Sequence, residues 1–440
     1  MTRSHFRFVS VTGLLVLLVT ASCSKTPPAA PAPSTTAASS TTEPPDAEVA
    51  GEEQTKTAID YHNPLSPEQI TEGWISLFDG YTLYGWESSD ETVNWHVADG
   101  CITSDTGPIG IIHTTVPFAD YELKCDFRYE PGGNSGVFLR TVHQPMNAQT
   151  DTYELNLADA HPTGHTTGSY VDLKQTDEPI VASGDWHTFH VTLEGDHSIV
   201  RLDGEVVLDF MDEQPDGPTS GFVGLQHNQG KVEFKNILLK PLSTTDLFNG
   251  EDLTGWRVVP GSQADFTVED GTIHVTAEKQ GFLETEGTYG DFVFQAEAIC
   301  HHNPADGGDA LNSGYFFRAK QGTEEAPSHG YEVQIHNGWK GDDRTQPTNA
   351  GTGAIFRRTE ARRVIPSDNE WFTTTLVASG TQIAVWVNGY WVTNWEDTRE
   401  PNDNPRQGLR LEPGHISLQG HDPTTDLSFR NLRVAEIPGH

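Results

Sequence analysis

Positive charge is scarce in this chain. Only 27 Lys and Arg stand against 63 Asp and Glu, a formal net charge of −36 at pH 7. Nucleic acid as a partner is excluded, because phosphate binding needs a basic footprint. A polybasic hold on a membrane surface is excluded on the same ground. The acidic surface is read as one that stays soluble by self-repulsion. Cysteine is also rare, with four in 440 residues. Cys101, Cys125 and Cys300 match no zinc spacing. In an exported protein Cys101 and Cys125 could form a bridge, which sequence alone does not establish. No long stretch keeps a helical period. One apolar run exists, Val11 to Val19, broken only by Thr12 and Gly13, and it is too short to span a bilayer comfortably.

That run has the flanks of a targeting segment. Arg3 and Arg7 precede it, and Thr20-Ala21-Ser22-Cys23 follows. Small residues before a cysteine resemble the bacterial lipobox, although Thr20 stands where Leu is usual. Residues 1–22 are therefore expected to be a lipoprotein-type signal peptide, with lipidation at Cys23 and a membrane-anchored protein facing the periplasm or cell exterior. Ordinary signal cleavage nearby is the alternative. Residues 23–72 are expected to be a disordered tether and lead-in, since a Pro/Ala/Ser/Thr/Glu run cannot bury a core.

What is plentiful is repetition. Leu77-Phe78-Asp79-Gly80 returns as Leu247-Phe248-Asn249-Gly250. Asn134-Ser135-Gly136-Val137-Phe138-Leu139-Arg140 returns as Asn312-Ser313-Gly314-Tyr315-Phe316-Phe317-Arg318. Tyr153-Glu154 becomes Tyr331-Glu332, Asp185-Trp186 becomes Glu370-Trp371, and Phe234-Lys235-Asn236-Ile237 becomes Phe429-Arg430-Asn431-Leu432. Order is kept throughout, which gives two homologous domains, 73–242 and 245–437. The joint Pro241-Leu242-Ser243-Thr244 is too short for a free tether, so the two should pack together. Each copy reads as short alternating strands bounded by Asp-Gly, Asn-Gly and Gly-rich turns. The fold class expected is all-β, with two jelly-roll sandwiches in tandem.

In Tyr331-Glu332-Val333-Gln334-Ile335-His336 the letters alternate apolar and polar. A strand sends these to opposite faces, leaving a carboxylate, an amide and an imidazole in a row. Glu332 or His336 is the candidate base, with the other as acid or metal ligand. Arg318, placed by alternation on a face with Gly314 and Phe316, is the candidate to pin hydroxyls or a developing negative charge. Asn312, Gln334 and Gln419 would bind substrate if their strands are neighbours. The first copy offers Arg140, Glu154, Asn134, Asn156 and Gln226, but Ala158 stands where His336 does. His161 and His165 could replace the missing imidazole or simply decorate a loop. Trp339, in the loop 337–343, is the stacking candidate. With Asp342 and Asp343 that loop could bind a divalent cation, although no full ligand pattern is present. Basic residues cluster once, at Arg357-Arg358 and Arg362-Arg363, to serve the joint, an anionic ligand or only a solvated loop.

The ordered motifs LFDG…L.GW, W.V.DG, NSG.F.R, YE.[QN], [DE]W, [DN]G, GLQ and F[KR]N[IL] resemble the 3-keto-disaccharide hydrolase domain, also described as 3-keto-glucoside 1,2-lyase and 3-keto-2-hydroxy-glucal hydratase. The resemblance covers both copies. It implies a concanavalin A-like jelly roll and chemistry on a glucoside already oxidised at C3. There a base takes the acidified C2 proton, the C1 group is expelled, and water adds back. A carbohydrate is thus the implied partner. A non-catalytic, lectin-like surface lipoprotein is the alternative.

Overall fold

The computed structural model describes residues 63–439 apart from 215, 302–309, 328, 405 and 406. Cys23 and the signal segment lie outside these residues. The lead-in makes one short helix, Pro67–Glu72, closed by a Ser66/Gln69 capping box and by Gly73 in the left-handed region.

From there the chain is almost entirely β. Tyr121–Tyr129 shows why: Tyr121, Leu123, Cys125, Phe127 and Tyr129 point inward, with more exposed residues between them. It pairs with His187–Glu194 on one side and Val232–Pro241 on the other, in an eight-stranded sheet. A five-stranded sheet lies across the core from it. Its order is Trp86–Ser88, Gly110–Thr114, Phe222–Gln229, Asn134–Thr141, Tyr153–Leu157. The second repeat builds the same pair. Its five-stranded sheet runs Trp256–Val258, Gly281–Thr285, His415–Gly420, Ser313–Ala319, Tyr331–Ile335. The jelly-roll architecture expected from the repeated motifs is therefore present twice.

Cys101 and Cys125 are both free. Val232–Pro241 runs between the strands that carry them. Two strand spacings put their backbones roughly 10 Å apart, beyond the reach of a disulfide. Burial pushes both thiols up.

The two repeats share a core. Trp386 and Trp391, from the second repeat, belong to the same buried cluster as Ile75, Phe118 and Tyr121 of the first. Their rings lie 4.3 Å apart, and Trp386 Nε1 donates to Ser76 O at 2.9 Å. Trp391 fills the space where a side chain at Gly85 would begin, and Gly85 has a φ of +83°. Arg362 closes the joint. It reaches Asp79 Oδ2 at 2.9 Å and lies over the rings of Tyr84 and Tyr390. Part of the basic cluster thus serves the joint.

Candidate functional site

In the second repeat, Tyr331, Val333 and Ile335 are buried in the core. That leaves Glu332 and Gln334 on the outer face, as alternation requires. Gln334 lies opposite Gly314, and Glu332 opposite Phe316. On the other side of the central strand, Tyr315 pairs with Leu418, which brings Gln419 level with Gly314. A glycine is therefore flanked by two carboxamides. A Cβ at Gly314 would sit 2.9 Å from Val333 O and 3.1 Å from Glu332 Oε1, so only glycine lets the carboxylate lie flat here. A cleft of about 800 Å³ opens over this face, lined by Glu332, Asn312, Gln419 and His421 among others.

The carboxamides are poised for a ligand. Gln334 and Gln419 are 1% and 2% exposed. Gln334 Nε2 donates to Asn312 Oδ1 at 3.3 Å and Asn349 O at 3.1 Å. The Oε1 atoms of both glutamines have no donor. Buried acceptors without donors are costly, and they are filled well by hydroxyl groups.

His421 is the imidazole of the cleft, and reading the strands alone missed it. Its Nδ1 lies 2.7 Å from Asp422 Oδ2 and 3.2 Å from Asn312 Nδ2. With Nδ1–H given to the carboxylate, Nε2 is the nitrogen left for a ligand. Burial tends to raise the Asp422 carboxyl. Hydrogen bonds from Thr424 and His421 outweigh this and hold it below its usual range. Thr424 supplies N–H at 2.8 Å and Oγ1 at 2.6 Å. The signal was in the sequence: Gly420-His421-Asp422 follows directly on the Gln419 strand.

His336 is not among the residues lining the cleft, and neither is Gln334, which lies beneath it beside Asn312. It falls just past the end of its strand, where its N–H donates to Thr352 Oγ1 at 2.9 Å and Gly338 N donates to its Nδ1 at 3.3 Å. Trp339 is not brought there either. It opens a two-stranded ribbon with Asp343–Pro347, and its ring is covered by Arg344 at 4.3 Å. Asp343 caps its own turn through Thr345 and Gln346. Among the described residues no three His, Cys, Asp or Glu side chains gather as a metal site.

Arg318 and Arg140 require correction. Each has a φ near +50° (46° and 49°). Strand alternation fails at such a residue, and each side chain is fully buried. Arg318 donates to Gly290 O, Gly380 O, Arg410 O and Asp291 Oδ1 at 2.7–3.0 Å. Arg140 makes the same four bonds, to Ala119 O, Gly195 O, Pro218 O and Asp120 Oδ1. Both are clamps that tie loops to the sandwich, and neither faces the candidate carboxylate. Glu284, the other acid on this outer face, is buried and held by Arg257 Nε at 2.9 Å and Gly322 N at 2.9 Å. It is therefore spent on structure.

The first repeat keeps the frame. Asn156, Gly136 and Gln226 are level across three strands. Gln226 Nε2 donates to Glu154 Oε1 at 3.1 Å, while Gln226 Oε1 and Asn134 Oδ1 have no partner. Burial pushes the Glu154 carboxyl up to about 7, the Gln226 bond opposing it and the charge of Asp172 adding to it. Asn156 Nδ2 is taken by His165 O, and His161 and His165 share Thr163 in their loop. Asn228 stands two residues past Gln226, where His421 follows Gln419 in the second repeat.

A two-sheet jelly roll whose outer face carries carboxamides, a carboxylate and an oriented imidazole beside one cleft defines a β-sandwich with a concave, ligand-sized site. The chain belongs to the 3-keto-alpha-glucoside-1,2-lyase-like domain family, matched at residues 73–240 and again at 243–435. It is similar to a 3-keto-disaccharide hydrolase of Bacteroides thetaiotaomicron, 26% identical over 149 residues. That match takes in 26% of this chain and 51% of the relative, so the chain spans about half of that protein's length. Among solved structures, a Parabacteroides distasonis protein provisionally classed as a glycosyl hydrolase is 23% identical. It covers 41% of this chain and 99% of its own, with a TM-score of 0.36. The carbohydrate-binding module CBM66 of Bacillus subtilis is 16% identical over 36% of this chain and 95% of its own, with a TM-score of 0.28.

Proposed function

We propose that the second repeat cleaves 3-keto-glucosides by elimination and hydration. The observation that carries this reading is the meeting of Glu332, His421 held by Asp422, and the donorless carboxamide oxygen of Gln419 in one cleft. A sugar hydroxyl donates to Gln419. The C3 carbonyl acidifies the C2 proton, and Glu332 removes it. Arg410, a cleft residue fixed through Nε to Arg318 O at 3.0 Å, meets the charge that develops on the carbonyl oxygen. The electron pair of the C2–H bond becomes the C1=C2 double bond as the C1–O bond breaks. Imidazolium His421, stabilised by Asp422, protonates the leaving oxygen. Neutral His421 then takes a proton from water as its oxygen adds to C1, and Glu332 returns its proton to C2. This sequence needs no second carboxylate at the spacing of a glycosidase.

The first repeat lacks the imidazole, and we propose it as a saccharide-binding module. Lipid attachment at Cys23, and export with it, is also proposed. Labelled palmitate should enter the protein in a bacterial host and be lost in Cys23→Ala; an unlabelled parent whose N-terminus lies beyond Cys23 rules the anchor out.

The reaction is tested with the full-length protein, a 3-keto-disaccharide and its unoxidised parent. Only the oxidised sugar should yield glucal and reducing sugar, because the parent has no acidified C2 proton. Efficient cleavage of the parent would point to a two-carboxylate glycosidase and overturn the elimination mechanism.

A further inference from the structure

The two repeats differ most sharply in the charge around the cleft. Shared hydrogen bonds fix which residues correspond. Tyr153 and Tyr331 each donate to an aspartate, Asp212 and Asp397, and the same carboxylate accepts from the backbone N two residues on, at Gln214 and Arg399. Pro218 and Arg410 give their carbonyls to the clamp arginines. Val171 N donates to Glu154 O, and Phe356 N to Glu332 O. The residues that follow, Asp172-Leu173 and Arg357-Arg358, therefore correspond as well. The first repeat thus has Asp, Leu, Gln and Pro where the second has four arginines.

All four of these arginines line the 800 Å³ cleft, in a chain with only 27 basic residues. Glu332 and Glu400 are the acids lining it. Asp397 compensates Arg399 through two bonds of 2.7 Å. Arg357 and Arg358 are exposed at the rim. The same cleft holds the donorless oxygen of Gln419, so the cations border a site that already calls for a hydroxylated ligand.

We propose that the second-repeat cleft selects a glycoside whose leaving portion carries an anionic group, a carboxylate or a phosphate. Planar guanidinium forks match both anions. The sugar to be cleaved rests on the carboxamides, and the anion reaches Arg357 and Arg358. This rests on the reading of the second repeat as the saccharide site.

The test is calorimetric binding of three unoxidised probes: a neutral disaccharide, the same disaccharide ending in a uronic acid, and its phosphorylated form. Each is titrated into the full-length protein and into Arg357→Gln/Arg358→Gln, at low and high salt, with melting curves to confirm folding. At low salt at least one anionic probe should bind about tenfold or more tighter than the neutral one, on the scale of a charge-assisted pair. The ratio should shrink toward one in the double variant and with added salt. The preferred probe tells carboxylate from phosphate. Equal affinities, no binding of any probe, or a ratio untouched by the double variant each overturn the proposal. Turnover of a neutral 3-keto-disaccharide by the same preparation separates the two readings. Turnover without anion preference defeats only the charge selectivity; anion preference without turnover of any 3-keto sugar defeats only the reaction.

Discussion

Glu332→Gln should lower turnover of a 3-keto-disaccharide at least about a hundredfold, the scale of one general acid–base group. The substitution is nearly isosteric. Glutamine fits the place beside Gly314 that the carboxylate occupies, so the fold should survive. What is lost is the base, and the fall should appear in kcat as well as in kcat/KM. Glu154→Gln should have a much smaller effect, because no imidazole stands beside Glu154 at the place of His421. The measurement is steady-state turnover by purified single variants, with circular dichroism as the folding control. A folded Glu332→Gln protein with near-native turnover would remove Glu332 from the mechanism. A large loss in Glu154→Gln alone would move the active site to the first repeat.

Arg318→Leu should fail differently, by unfolding. Removing a fully buried guanidinium takes the donor from three carbonyls at once and one partner from Asp291, which keeps Gly380 N and Ser379. Each buried acceptor left without its donor costs about 1–3 kcal/mol, and several together bring a marginally stable protein close to unfolding. Arg318→Lys keeps the charge but loses the fork, and should recover only part of the loss. Thermal melting of both variants, followed by circular dichroism, is the measurement. An Arg318→Lys protein that melts like the parent yet has lost turnover would instead make Arg318 a participant in the chemistry.

These two arginine variants mark where reading the sequence worked and where it stopped. The duplicated motifs were enough to show the jelly rolls, and alternation placed Glu332 and Gln334 on the outer face correctly. Alternation also put Arg318 there, and that was wrong, because a residue with φ of +46° breaks the period and nothing in the letters shows it. His336 failed for a simpler reason: the strand ends at Ile335, so the next side chain no longer belongs to the row. Arg399 and Arg410 sit on loops that reach the cleft only through tertiary packing, whereas His421 directly follows the Gln419 strand and was overlooked. The pairing of Gln419 with Gly314 was legible only as a condition, that the two strands be neighbours.

The shared tryptophans bear on how the chain is made. Trp386 and Trp391 complete a core whose other members, such as Phe118 and Tyr121, were polymerised far earlier. Ribosomes add roughly 5–20 residues per second. Trp391 is therefore made roughly eight to thirty seconds after Pro241, where the last strand of the first sandwich ends. Until then Gly85 and Phe118 lack the indoles that pack on them. The first repeat made alone should therefore melt below the full-length protein, because part of its own buried cluster is missing.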